Sequence, residues 1–223
     1  MSFSAFANHV RNPALPHRRR VSALRSCVQL YRPIGFEATL SFLGELAGPF
    51  QRDDGALLRA LDHLAASRSL WHDHLRRYAA ERRTAKRLGH RAPRPGDANP
   101  NLGPSIWYGA PQHAALHALT YWRRSRLPRL LAWDDPGARE IDVAVSACLA
   151  SRGPLSDEQH RRLHDTAQQL RRRISGGLYD EDAVAYFRAR DLLRIAALVT
   201  SAAIPESAAG VEHQSTTAAG GSR

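Results

Sequence analysis

Apolar side chains recur along most of this chain at alternating steps of three and four, the spacing of helices with one buried face; no segment shows the period of two expected of a half-buried strand. The pattern is clearest where Leu57, Leu61, Leu64, Arg68, Trp71, Leu75, Tyr78, Arg82 and Ala85 advance by four and three without a slip. No helix breaker follows until Gly89, and Asp53 or Asp54 offers a capping carboxylate at the start. The spacing predicts one helix over about 54–88, roughly 50 Å long at about 1.5 Å per residue. Its seam is a coiled-coil heptad, yet Arg68 and Arg82 occupy core positions that a dry two-stranded coil accepts only if their stems snorkel. A helical hairpin or bundle therefore suits it better than an extended dimer.

Shorter helices are expected on either side. Residues 18–31 stop before Pro33, and Gly35 to Ala47 places Phe36, Leu40, Leu43 and Ala47 on one face before Gly48 and Pro49. A helix from Gln112 to about Arg126 carries Ala115, Leu116, Leu119 and Trp122, and Pro136 opens another with Ile141, Val145, Cys148 and Leu149 inward, ending near Gly153. Ser156 and Gln159 form a capping box for the next, whose stripe is Leu163, Ala167, Leu170 and Ile174, stopped by Gly176 and Gly177. Asp180 is expected to cap the last, with Val184, Phe187, Ile195 and Leu198 apolar, running to about Ala203 before Pro205.

The segment from Gly89 to Pro111 is rich in Pro, Gly and Asn and reads as a long loop, with Ile106, Trp107 and Tyr108 pinning it to the domain. Residues 1–17 contain Pro13 and Pro16 and few periodic apolar positions, so they read as a disordered basic arm; 205–223 read as a disordered polar tail. The expected fold is all-α, a single-domain irregular bundle over 18–204 with about six to seven helices and one long central helix.

Composition adds a direction to this picture. Of 223 residues, 32 are basic and 21 acidic, a formal charge of +11, and every basic side chain except Lys86 is arginine. A GC-rich genome explains arginine in place of lysine but not the surplus of base over acid, which favours a polyanionic partner. The arginines cluster: eight basic residues lie between Arg76 and Arg94 against Glu81 alone, with Arg76, Arg77, Arg83 and Arg87 on outward helix positions. Arg123, Arg124, Arg126 and Arg129 directly follow Tyr121 and Trp122, and Arg171 to Arg173 end a helix whose dipole already welcomes them. Guanidiniums bind phosphate and aromatics stack on bases, so the first two clusters predict a nucleic-acid footprint.

The leading expectation is therefore a non-enzymatic, cytoplasmic protein contacting DNA or RNA with low specificity through Arg76, Arg77, Arg83, Arg87, Arg123, Arg124, Arg126 and Arg129. The alternative is an adaptor or assembly subunit that offers its heptad seam to a partner helix or to a second copy, its arginines meeting an acidic protein surface.

A third class, a metal-dependent helical enzyme, rests on the i, i+4 pairs His113/His117 and His160/His164. Chance placement of eleven histidines yields roughly half of one such pair, so neither metal nor cofactor is assigned. In His72-Asp73-His74 successive side chains diverge by about 100° and cannot converge on one ion alone. No phosphate-binding loop, dinucleotide fingerprint or nucleophile elbow is present. Cys27 and Cys148 lie in apolar helical patterns and read as buried thiols, the N-terminus lacks a secretory h-region, and Ile195–Ile204 is too short to span a bilayer.

Overall fold

The computed structural model describes residues 1–90, 106–125, 130 and 135–203. These form nine helices and no strand, the all-α helical bundle that the periodicity predicts. By contact they gather into two compact units, Met1–Gly109 and Ala110–Arg223.

The first unit holds α1 (Phe3–Arg11), α2 (His17–Leu30), α3 (Phe36–Ala47) and α4 (Asp54–Arg87). Helix α1 corrects the reading of residues 1–17 as a disordered arm. Ser2 caps it by accepting from the Ala5 amide, and Phe3, Ala7 and Val10, four and three apart, bury its inner face against α2 and α4. Three apolar positions are too short a run to register as a helix beside two prolines, but tertiary partners hold what length alone would not. Arg20, only 4% exposed, ties the unit together: its Nε donates to the Val10 carbonyl at 2.8 Å and its Nη1 to Asp54 at 2.7 Å.

Helix α4 is capped by Asp53, whose carboxylate accepts from the Gly55 amide at 2.8 Å. Its first half packs fully, with Leu57, Leu61 and Leu64 buried among Leu24, Val28, Phe42 and Phe50. Ser67 closes this stretch by sharing its hydroxyl with the Tyr31 hydroxyl at 2.9 Å and accepting from the Tyr108 amide at 3.1 Å. Beyond Ser67 no side chain of α4 is fully buried. Trp71 stacks on Tyr31 with ring centres 5.4 Å apart, and Leu75, Tyr78, Arg82 and Ala85 are half-buried. Arg68 is accommodated in the seam by lying over the Phe3 ring, 4.4 Å from its centre, and Arg82 donates to the His90 carbonyl at 3.2 Å. Trp107 is buried edge-on to Phe42, while Ile106, expected to help pin the loop, stands 39% exposed. Residues 91–105 of that loop lie outside the described residues.

The second unit holds α5 (Pro111–Ser125), α6 (Pro136–Ser151), α7 (Asp157–Ser175), α8 (Leu178–Glu181) and α9 (Ala183–Ala203). Helix α9 is the hub, touching α5, α6, α7 and α8, and it buries Leu192, Ile195, Leu198 and Val199 against Leu119, Trp122, Ile141, Val145, Leu163 and Leu170. The capping box of Ser156 and Gln159 is formed on both sides. Asp182, not Asp180, caps α9, its Oδ1 accepting from the Val184 and Ala185 amides at 2.9 Å. Val184 and Phe187 share the apolar sector of α9 but remain 55% and 56% exposed, because the four-residue α8 covers that end only in part, Tyr179 meeting the Phe187 ring edge-on at 6.3 Å. The expected disordered tail at 205–223 lies outside the described residues. No helix among the described residues is long and apolar enough to cross a membrane.

Candidate nucleic-acid interface

The arginines of α4 are placed by helix geometry. At about 100° per residue, Ser69, His72, Arg76, Arg83 and Arg87 all fall within roughly 40° of one line drawn along the helix. Arg77 lies about 100° to one side of that line and Lys86 roughly 80° to the other, whereas Glu81 sits about 140° away, near the opposite face. Arg76, Arg77, Arg83 and Arg87 are all exposed, as their outward positions require. The result is a one-sided cationic stripe about 16 Å long from Arg76 to Arg87.

Its counter-charge is sparse. Asp73 pairs with Arg76 one turn away, and no described carboxylate pairs with Arg77, Arg83 or Arg87. Lys86 and Arg87 stand in the last turn of the helix, where the negative end of its dipole stabilises them. Beside the stripe, burial raises the Tyr108 hydroxyl above its ordinary range, against a smaller lowering by Arg77. His72 is held below the usual histidine range, first by partial burial and then by the charges of Arg68 and Arg76, with Asp73 opposing.

Of the second predicted cluster, Arg123 and Arg124 are exposed in the last turn of α5, next to buried Trp122 and half-buried Tyr121. Arg126 and Arg129 lie outside the described residues, as do Arg91 and Arg94 of the first cluster. Trp122 is only 4% exposed, so it serves the core of its own unit and cannot act as a stacking platform.

The histidines fall into separate surroundings. His74 meets the Tyr108 ring edge-on at 5.7 Å, His72 turns toward α1, and Asp73 between them is taken by Arg76. His160 and His164 are exposed, and among the described residues no group of three or more His, Cys, Asp or Glu could hold a metal ion. Both cysteines are buried, and burial pushes each thiol up to about 11.

No protein-family model matches the chain, and neither a curated protein nor a solved structure is similar to it.

Sequence reasoning missed Arg68 and His72 as surface chemistry. Spacing alone places Arg68 at a seam position and His72 in a histidine run. The available signal was angular, since His72 lies on the arginine line. The missing information was α1, which supplies the opposite wall.

Proposed function

We propose that this protein associates with nucleic acid through its phosphate backbone, as a non-enzymatic protein with low sequence specificity, and that the exposed arginine stripe of α4 carries the contact. The observation that supports this most is the alignment of Arg76, Arg83 and Arg87 on one face whose only adjoining acid among the described residues, Asp73, is already paired. Guanidiniums fixed on a helix face match phosphate oxygens in a fork, and such contacts position a partner without reading bases. Arg77 widens the stripe, and Arg123 and Arg124 add a second exposed patch. The formal charge of +11 would speed encounter with either DNA or RNA.

Fluorescence anisotropy of the full chain with labelled duplex DNA and single-stranded RNA, repeated over a salt series, tests the reading. Four phosphate contacts predict a slope of log affinity against log salt of about −3 to −4 on duplex DNA. The double variant Arg83→Gln, Arg87→Gln should reduce that slope by about two units and weaken all sequences alike. Binding that is absent, or insensitive to salt, on both nucleic acids overturns the proposal.

One observation favours a second reading, an adaptor. Beyond Ser67 the heptad seam of α4 is only half-buried, with Leu70 40% exposed beside it, which suits a partner helix. Self-association in a concentration series, unaffected by Arg83→Gln and Arg87→Gln, would mark that case.

A further inference from the structure

Between α1 and α4 lies an open cleft of about 370 Å³, which shares Arg76 with the arginine stripe but is otherwise unused by the reading above. Its walls follow from two helical faces. From α4 come Ala65, Arg68, Ser69, His72 and Arg76, which share one side at steps of three, one, three and four. From α1 come Phe3, Ser4, Ala7, Asn8 and Arg11. Phe3 meets Arg68 while Arg11 reaches back to Asp62, so the two helices run in opposite directions along the cleft.

The charge in this cleft is lopsided. Three guanidiniums line it and no carboxylate does. Arg11 and Arg76 each have an acid partner beyond the lining, Asp62 at 3.1 Å and the neighbouring Asp73. Arg68 has no described carboxylate partner; its contact is the Phe3 ring. Stacking on an aromatic face fixes the guanidinium plane and leaves its N–H edge to donate, a pre-organised fork for oxygens. The hydroxyl of Ser69 and the amide of Asn8 likewise make no hydrogen bond to a described residue. Arg68 and His72 are half-buried while Asn8, Arg11, Ser69 and Arg76 are exposed at the rim, and an oxyanion supplies this single-sign cluster with both charge and acceptors.

We propose that this cleft is a binding site for a phosphate monoester, with the dianionic phosphoryl group held by Arg68, Ser69 and His72, Arg76 and Arg11 closing its two ends and Asn8 donating from α1. A monoester fits better than a backbone diester because it carries about −1.5 to −2 charges near neutral pH and three free oxygens, matching several donors at once. The source of the group is either a small phosphorylated molecule or the 5′-phosphate end of a strand. The proposal does not rest on the nucleic-acid reading, since a small monoester alone satisfies it.

The full chain is titrated calorimetrically with inorganic phosphate, then with a nucleoside 5′-monophosphate, then with a short oligonucleotide bearing either a 5′-phosphate or a 5′-hydroxyl. Saturable binding of phosphate and of at least one monoester is expected, with about tenfold or greater weakening in Arg68→Gln and in Arg76→Gln. Circular dichroism confirms that each variant is folded, and exposed Arg76 provides the safer variant should Arg68→Gln unfold. Bound phosphate should also raise the pKa of His72, followed by its ring resonances in NMR, a response that packing alone would not produce. A stronger response to the mononucleotide identifies a small molecule as the source; preference for the 5′-phosphorylated over the 5′-hydroxyl strand identifies a strand end. Both support the site. Arg83→Gln with Arg87→Gln lies outside the cleft and should leave phosphate binding intact, so loss of nucleic-acid binding and loss of the cleft are read separately. Absence of saturable phosphate or monoester binding at millimolar concentration, or equal binding by wild type, Arg68→Gln and Arg76→Gln, overturns it.

Discussion

Replacing Arg20 with methionine removes a charge from the interior of the first unit while keeping an unbranched apolar stem of similar length, so the packing around it is nearly preserved. What disappears is the 2.8 Å bond from Nε to the Val10 carbonyl and the 2.7 Å bond from Nη1 to Asp54. Val10 stands in the last turn of α1, where carbonyls have no partner further along the helix, and Arg20 fills that need from α2. A buried charge-assisted bond of this kind contributes about 1.5–3 kcal/mol. The link to Asp54 adds less, because that carboxylate is 60% exposed and screened by solvent.

Arg20→Met should therefore cost about 2 kcal/mol. For a unit of roughly 100 residues, that loss lowers the thermal midpoint by about 8–16 °C. Urea and thermal unfolding of the full chain, followed by far-ultraviolet circular dichroism, measure it, with Asp54→Asn as the comparison expected to fall well short. Stability unchanged within about 0.5 kcal/mol in Arg20→Met, or an equal loss in Asp54→Asn, would refute the assignment of Arg20 as the cap of α1.

The same cluster sets a pH signature. The Asp54 carboxyl is held below its ordinary 3.8, first by its hydrogen bond with His17 and then by Arg20. A depressed folded-state pKa gives stability that is present above the unfolded value and lost as pH falls through the folded one. The gap between wild type and Asp54→Asn should close on acidification below pH 3.8.

Two further outcomes are expected. Gly153 has φ +128°, and an added Cβ would lie 2.5 Å from the Ala202 carbonyl oxygen and 2.8 Å from Gln112 Nε2; Gly153→Ala should cost the second unit more than about 2 kcal/mol. Gly177→Ala, at φ +99° with nothing within 4 Å, should cost only about 1 kcal/mol in the same thermal melts, and similar losses in both would contradict the close-contact explanation. Cys27 and Cys148, buried and with thiols pushed up to about 11, should resist a disulfide reagent at pH 8 and react only on unfolding; one fast thiol in the native protein would count against this.

Much of the architecture was legible along the chain because it depends on local spacing and local caps. The long helix, the capping box at Ser156 and the stop at Gly176 are each decided by residues within a few positions of one another. The arginine stripe belongs to the same class, since a helix fixes the angles between Arg76, Arg83 and Arg87 wherever it packs.

Periodicity marks the sector of a helix that can be buried, but only its neighbours decide how far along that sector burial extends. Val184 and Phe187 lie in the apolar sector of α9, yet they stay more than half exposed because the four-residue α8 covers that end only in part, through Tyr179. Helix α1 is the converse: a weak local signal becomes ordered because α2 and α4 cover Phe3, Ala7 and Val10, and Arg20 reaches across from α2 to cap it. The cleft beside α4 needs both walls at once. Its residues are separated by more than fifty positions in the chain, so only the packing of α1 on α4 brings Asn8 and Arg11 to Arg68, Ser69 and His72.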